Sequence, residues 1–144
     1  MDLRTIDDSR IAMSVLDICI RLRETDDFRS AMRDVTNEIR GLCYAEYCCI
    51  LLVDDTERSC SVLSEAFAKG SLLLPMDSYL DSAFYDITET WRQMLSDSSC
   101  IMARNDEDMI QLKEDNPIWY ESLTNAHVYN ITLFPLKSGN RLIG

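Results

Sequence analysis

Apolar residues recur at helical spacing in the first third of the chain. Within residues 6–23 they are separated by four, three and four positions, and residues 28–42 repeat spacings of four and three. Leu22 ends the first run and Phe28 begins the second. These two residues are six positions apart, a spacing that does not fit one continuous helix. We therefore predict two helices with a break at Glu24–Asp26, the second capped by Thr25 and closing near Gly41.

Several later segments have the patterns of β-strands. Tyr47–Val53 is apolar at every position, which predicts a strand covered on both faces, and Ser59–Ala66 returns with partial alternation after an acidic turn. Ser99–Ala103 is short and apolar, His127–Leu136 alternates between two faces, and Arg141–Gly144 begins another strand after a turn. We therefore predict an early hairpin, a short strand and a late hairpin.

Three further helices are predicted between the hairpins. Asp77 or Ser78 can cap the first, Asn105 can cap the second, and Asn116 followed by Pro117 starts the third. The first of these has the clearest amphipathic pattern in the chain. The apolar positions predicted to face inward are Leu80, Phe84, Ile87, Trp91 and Leu95 in the first, Met109, Ile110 and Leu112 in the second, and Ile118, Trp119 and Leu123 in the third.

The order of these elements predicts the fold class. It is an α+β fold in which helices cover a central antiparallel sheet, preceded by an N-terminal amphipathic helix. We expect the strands Tyr47–Val53 and His127–Leu136 to lie side by side in one sheet layer. The helical segments that contain Trp91 and Trp119 are expected to cover one face of that layer.

Composition and charge narrow the function classes. The 144 residues carry a net charge of −11, which disfavours binding to nucleic acid or to an anionic membrane surface. The apolar runs are shorter than the roughly 20 residues of a membrane-spanning helix, and the acidic N-terminus is unlike a signal peptide. We predict a cytoplasmic protein with no membrane insertion, whose six cysteines are reduced. Four glycines and three prolines lead us to expect few positions with positive φ.

Two segments carry a family resemblance. The first consists of FRSAMRDVTNEIRGLCYAEYCCILLVDD and the predicted second strand of the early hairpin, CSVLSEAF. The second is the late hairpin ITLFPLKSGNRLIG. Together they are similar to a GAF domain, the small-ligand and signalling module common in bacterial sensor proteins. The PAS fold is the structural alternative, although it normally opens with strands rather than two long helices.

The resemblance also implies a domain organisation. Residues 25–144 would form a sensory domain truncated at its C-terminus, and residues 1–24 would form a linker or dimerisation helix. Similar modules precede diguanylate cyclase domains, so the chain is compatible with the N-terminal sensory part of a diguanylate cyclase.

In GAF-like folds the pocket lies between one sheet face and the helices inserted before the last hairpin. A mostly apolar wall with a few placed polar groups is typical of a small-molecule site. The alternative is that the tryptophans belong to the core and that the polar side chains bond each other or the backbone. Few basic side chains lie nearby, so the unknown ligand is expected to be small and neutral or cationic. The residues implied for the site are Trp91, Met102, Trp119, Tyr120, Asn130 and Thr132.

No catalytic residue, metal site or cofactor is predicted. His127 is the single histidine, has no fixed acidic neighbour, and is expected to cap the preceding helix. The cysteine spacing differs from that of a structural zinc site. GAF modules that hold a bilin attach it through a cysteine thioether, and a histidine frequently follows that cysteine. Here Ile101 follows Cys100, so the resemblance does not imply bilin attachment at Cys100. A small enzyme that uses Cys100 and His127 remains an alternative.

The resemblance implies a non-catalytic sensory module that binds a small molecule or partner and passes the signal to an attached output domain. We predict a homodimer, because the spacing of the first helix suits a two-helix seam. The alternatives are that this helix packs onto its own domain, or that the chain is a structural dimerisation domain without a ligand. The seam residues are Ile11, Val15, Ile18 and Leu22.

Overall fold

The computed structural model describes residues 16–18, 20, 24, 26–81, 83–96 and 98–144. The described residues before residue 26 are helical at 16–18, 20 and 24. The helices are α1 (Phe28–Leu42), α2 (Phe84–Met94), α3 (Asp106–Asp115) and α4 (Pro117–Asn125), with a 3₁₀ turn at Met76–Ser78. The strands are β1 (Tyr47–Asp54), β2 (Ser59–Phe67), β3 (Ile101–Ala103), β4 (Ile131–Leu133), β5 (Lys137–Ser138) and β6 (Arg141–Leu142). This mixture of helices and strands is the predicted α+β class.

The chain forms two compact units. One holds the described residues up to Ile50 together with Val62–Leu72, and the other holds Leu51–Ser61 and Leu73–Gly144. In the first unit, α1 buries Val35 and Thr36. The Thr36 hydroxyl donates to the carbonyl of Met32 over 2.6 Å and lies 2.8 Å from the Ser64 hydroxyl, so this buried polar group is satisfied.

The second unit has an aromatic core. The rings of Phe84 and Trp91 lie 5.9 Å apart, and those of Trp91 and Trp119 lie 5.4 Å apart, both in edge-to-face geometry. Helices α2, α3 and α4 and strand β3 supply the buried residues around these rings. They are Phe84, Ile87, Trp91, Leu95, Ile101, Ala103, Met109, Leu112, Trp119 and Leu123.

The strands form three two-stranded pairs: β1 with β2, β3 with β4, and β5 with β6. Backbone hydrogen bonds join β1 to the residue that follows β6, and residues 143–144 to Leu136. The Val53 N–H donates to Ile143 O over 3.0 Å, and the Leu136 N–H donates to Gly144 O over 2.9 Å. Residues 141–144 therefore lie between β1 and the segment that contains Leu136. The strands expected side by side are separated by this last strand.

Several predicted helix starts are confirmed and others are wrong. Asn105 and Asn116 cap α3 and α4 as predicted. The cap of α1 is Asp27, whose carboxylate accepts the Ser30 N–H, whereas Thr25 lies outside the described residues. Asp77 and Ser78 lie in the 3₁₀ turn, and the start of α2 is held instead by Asp81, whose carboxylate accepts the N–H groups of Ala83 and Phe84.

The inward stripe of α2 is confirmed, with Phe84, Ile87, Trp91 and Leu95 buried and Leu80 packed beside the core. Ile110 and Ile118 are not inward, since they are 61% and 62% exposed. Each short helix buries a single narrow face, and these two residues lie about 100° around the helix from Met109 and Trp119.

Positive φ occurs at three described residues that are not glycine: Tyr44, Arg58 and His127. With Gly70 and Gly139, five described positions adopt positive φ, which agrees with the expectation of few such positions. Two of these residues follow helix ends, where the left-handed turn lets backbone N–H groups reach the last carbonyls. After α4, the His127 N–H donates to Thr124 O, and the next N–H donates to Leu123 O over 2.9 Å. The cap at His127 is thus made by the backbone and not by the imidazole.

Replacing His127 by glycine is expected to stabilise the protein by about 0.5–1 kcal/mol. Glycine adopts the φ of 61° found here without the steric cost that a Cβ brings. Thermal unfolding of His127→Gly beside His127→Val measures the effect, because a β-branched residue is the least tolerated in this conformation. Equal stability of the two variants would contradict the left-handed conformation.

Candidate functional site

Trp91 and Trp119, both expected in the ligand site, lie in the core of the second unit. Trp91 is 7% exposed and Trp119 is 2% exposed. The indole Nε1 of Trp91 is buried and has no hydrogen-bond partner among the described residues. Burying a hydrogen-bond donor without an acceptor costs about 1–3 kcal/mol of folding free energy. This N–H is therefore a donor inside an apolar cluster that is available to an acceptor.

A surface cleft lies beside this core, between β3 and α3. Its volume is about 120 Å³. Ile101, Ala103 and Leu112 form its buried floor and belong to the same core as the two tryptophans. The remaining lining residues, half-buried or exposed, are Met94, Met102, Asp108, Gln111 and Asp115.

The other expected site residues differ in their relation to this cleft. Met102 lines it, and Thr132 stands directly opposite Met102 on the neighbouring strand. Thr132 and Asn130 are exposed. Tyr120 is half-buried at the core, and the Lys113 ammonium lies 5.6 Å from its ring centroid. The cleft therefore brings together one expected residue, Met102, and the core that contains two more.

Sequence reasoning missed the polar residues of the cleft. Asp108, Gln111 and Asp115 are spaced by three and four on α3, so they share one helix face. That spacing was visible in the sequence, but a polar stripe of this kind usually faces solvent. Met94, the last residue of α2, was also missed, although it lies three residues after Trp91 and seven after Ile87, and this spacing was a signal that it faces the core.

Asp108 is held at the first turn of α3. The Asn105 side chain accepts the Asp108 N–H over 2.9 Å, and the Asp108 carboxylate accepts the Arg104 N–H, also over 2.9 Å, through Oδ2. The Arg104 guanidinium approaches the same oxygen at 3.4 Å. The backbone hydrogen bond from Arg104 lowers the pKa of Asp108, so this carboxylate stays charged at neutral pH.

The opposite end of the cleft is fixed by amide side chains. Gln111 Nε2 donates to Asp115 Oδ1 over 3.0 Å. Asn116, at the junction of α3 and α4, is 4% exposed, and its Nδ2 donates to Thr90 Oγ1 over 2.7 Å and lies 3.5 Å from the sulfur of Met94. The same side chain accepts the Trp119 N–H over 3.2 Å. One buried amide thus connects α2, a cleft wall and the start of α4.

A second polar cluster joins the β1–β2 turn to α2. The Tyr85 hydroxyl donates to Asp55 Oδ1 over 2.9 Å, and the Arg92 guanidinium pairs with the same oxygen. Hydrogen bonding to Glu89, burial and hydrogen bonding to Asp55 raise the pKa of Tyr85 to about 12, so the phenol remains a donor. Arg58 lies over the Tyr85 ring, 4.8 Å from its centroid.

Groups suited to covalent or metal chemistry are not assembled in the part of the chain that the structure describes. His127 is exposed, and its Nδ1 lies 3.3 Å from the Tyr129 hydroxyl. Burial raises the pKa of the Cys48 and Cys60 thiols, which disfavours the reactive thiolate. The described residues contain no group of three or more histidines, cysteines or carboxylates placed to hold a metal ion.

The seam residues of the N-terminal helix are mostly outside the described part. Ile18 is helical and half-buried, while Ile11, Val15 and Leu22 lie outside the described residues. Among the described helices, none has the length and apolar character needed to cross a membrane.

Comparison with known proteins identifies the fold. No family model matches the sequence, and no curated protein matches it. Among solved structures, the phycocyanobilin-bound GAF domain of a cyanobacterial phytochrome superimposes with a TM-score of 0.66 at 17% identity, over 92% of this chain and 75% of that one. The phycoerythrobilin-bound GAF domain of a cyanobacterial phytochrome gives 0.64 at 18% identity, over 92% and 76%. The chain therefore has the fold of a GAF domain.

Proposed function

We propose that this chain is a non-catalytic sensory module that binds a small molecule in the cleft between β3 and α3. The observation that carries the proposal is the continuity of the cleft with the aromatic core. Three core residues form the floor of the cleft, and the core contains the unpartnered N–H of Trp91. Apolar walls with a few polar groups are the usual composition of a small-molecule site.

The size of the cleft bears on the class of ligand. Its volume of about 120 Å³ is below the roughly 300–1,000 Å³ of pockets for drug-sized ligands. The two similar GAF domains are bound to phycocyanobilin and to phycoerythrobilin, and a bilin is far larger than this cleft. For this cleft we therefore propose a ligand with few heavy atoms.

Asn116 connects the cleft residue Met94 to α2 and α4 in the second unit. A ligand that contacts Met94 displaces a sulfur 3.5 Å from the Asn116 amide, which also holds Thr90 of α2 and the first turn of α4. Such a ligand would favour one of two arrangements of these helices, and this population shift would be the signal. In a longer protein, an attached output domain would receive it, in the cytoplasm.

Labelling the methionine methyl groups with ¹³C tests the function, because Met94 and Met102 are both in the cleft. A library of small metabolites is screened for shifts of these two resonances, assigned with Met94→Leu and Met102→Leu. A metabolite that shifts both, and that stabilises the protein by about 2.7 kcal/mol at a hundred times its dissociation constant, supports the proposal.

Replacing Met102 by tryptophan fills the cleft and is expected to abolish that stabilisation. Exposed Ile118 provides the matched control, since Ile118→Trp adds the same ring outside the cleft. If no metabolite shifts either resonance, the sensory function is wrong and the structural dimerisation domain is favoured.

We also propose that residues 1–24 form the dimerisation helix of a homodimer, and residues 25–144 the sensory domain. Changing both Val15 and Ile18 to glutamate is expected to give a folded monomer, because charges at seam positions of a two-helix interface repel across it. Light scattering measures the mass and circular dichroism the fold. A variant that remains dimeric would show that the seam lies elsewhere, and one that unfolds would show that the stripe is core.

A further inference from the structure

We propose that the ligand of the cleft is a small organic cation, a substituted ammonium group with little else attached. This inference rests on the proposed small-molecule function and specifies the chemistry of its ligand. Three features of the cleft support it: the acceptors that remain on its polar wall, the charge of that wall, and the thioether groups opposite.

The polar wall offers acceptors. The hydrogen bonds that fix Asp108 end on Oδ2, and no described residue donates to its Oδ1. Gln111 turns its amide nitrogen toward Asp115 Oδ1, which leaves the Gln111 Oε1 and the Asp115 Oδ2 without a donor among the described residues. Two carboxylate oxygens and one amide oxygen on a single helix face are therefore available to accept hydrogen bonds from a ligand or to attract a positive charge.

The residues that line the cleft carry charge of one sign, and no lysine or arginine is among them. Beside the cleft, Arg104 pairs with Asp108 Oδ2, and the Lys113 ammonium lies over the Tyr120 ring. Asp115 is therefore the lining carboxylate that has no basic partner among the described residues. A cation placed in the cleft would be attracted by Asp115 and by the net charge of −11, whereas an anion would be repelled by both.

The wall opposite the carboxylates selects an alkylated cation. Met94 and Met102 present polarizable thioethers, and the floor is made of Ile101, Ala103 and Leu112. A bare metal ion would need several oxygen ligands on all sides, which this apolar floor does not provide. Methyl groups on nitrogen spread the positive charge over an apolar surface, and that surface can pack on the methionines and the floor.

The test compares choline with 3,3-dimethyl-1-butanol, its uncharged carbon isostere, using the labelled methionine methyl groups of the intact chain. Choline is expected to shift the Met94 and Met102 resonances and to bind at least tenfold more tightly than the isostere. Raising the ionic strength from 0.01 to 0.15 M shortens the Debye length from about 30 to about 8 Å. It is expected to weaken choline binding and to leave the isostere unchanged.

Asp115→Asn is expected to weaken choline binding about fivefold, as for the loss of one charge about 4 Å away in water. Glu114→Gln is the matched control, because it removes the same charge from an exposed position of the same helix outside the cleft. It is expected to change the affinity less than twofold, because Glu114 does not line the cleft and solvent and salt screen its charge over the longer distance. Equal losses in the two variants would overturn recognition by the cleft carboxylates.

The outcomes separate this inference from the proposed function. If the isostere binds as tightly as choline, the cleft binds small molecules but charge recognition is wrong. If choline leaves both methionines unshifted while another metabolite shifts them, the sensory function stands and the cation inference fails. If no compound shifts them, both are wrong.

Discussion

Trp119→Ala is expected to lower the free energy of unfolding by about 3–5 kcal/mol. The side chain is 2% exposed, and its ring lies 5.4 Å from that of Trp91 in the centre of the second unit. Removing the indole leaves a cavity that the surrounding helices fill only in part, because protein interiors are close-packed. This loss is a large fraction of the roughly 5–15 kcal/mol by which domains are stable.

Urea unfolding, followed by circular dichroism, measures the effect against Ile118→Ala on the same helix. Ile118 is 62% exposed, so its truncation is expected to cost less than about 0.5 kcal/mol. If Trp119→Ala does not fold, Trp119→Phe keeps part of the ring and is expected to show a smaller loss. Equal effects at positions 118 and 119 would contradict the packing of Trp119 in the core.

Asn116→Ala is expected to lower the free energy of unfolding by about 1–3 kcal/mol. It removes the cap of α4, in which the Asn116 side chain accepts the Trp119 N–H, and leaving that buried N–H unpaired costs about 1–3 kcal/mol. It also removes the Nδ2 donor to Thr90 Oγ1, but the Thr90 hydroxyl keeps its own hydrogen bond to Ile87 O, so this second loss adds little.

Two further variants separate the contributions of Asn116. Asn116→Ser keeps a capping oxygen but loses the donor to Thr90, so its stability is expected to fall between wild type and Asn116→Ala. Thr90→Val is expected to cost less in the Asn116→Ala background than alone, because the two side chains share one hydrogen bond. Additive losses would contradict the direct contact between them.

The parts of the fold that could be predicted are governed by local rules. Asn105 and the pair Asn116 and Pro117 mark helix starts because a side chain bonds the backbone a few residues away. The inward stripe of α2 could also be predicted, because it depends only on apolar residues three or four positions apart in the sequence. The left-handed turns at Tyr44 and His127 were not, since a non-glycine residue adopts this conformation only where the helix end and the packing that follows impose it.

The candidate site was predictable only in part. Met102 and the two tryptophans lie in apolar segments of the sequence, and the structure places Met102 in the cleft and both tryptophans in the adjacent core. The carboxylate wall depends on α3 lying against β3, which in turn pairs with β4 about thirty residues away in sequence. Such non-local pairing decides whether a polar helix face meets solvent or a cleft, and helical spacing alone does not contain that information.

Two contacts to Asp55 hold α2 in one rotational orientation about its own axis. Tyr85 and Arg92 are seven residues apart on this helix and both reach the same carboxylate oxygen. Turning the helix about its own axis would carry both donors away from that oxygen. The two contacts therefore oppose rotation of α2 about its axis, and such a rotation would break both at once.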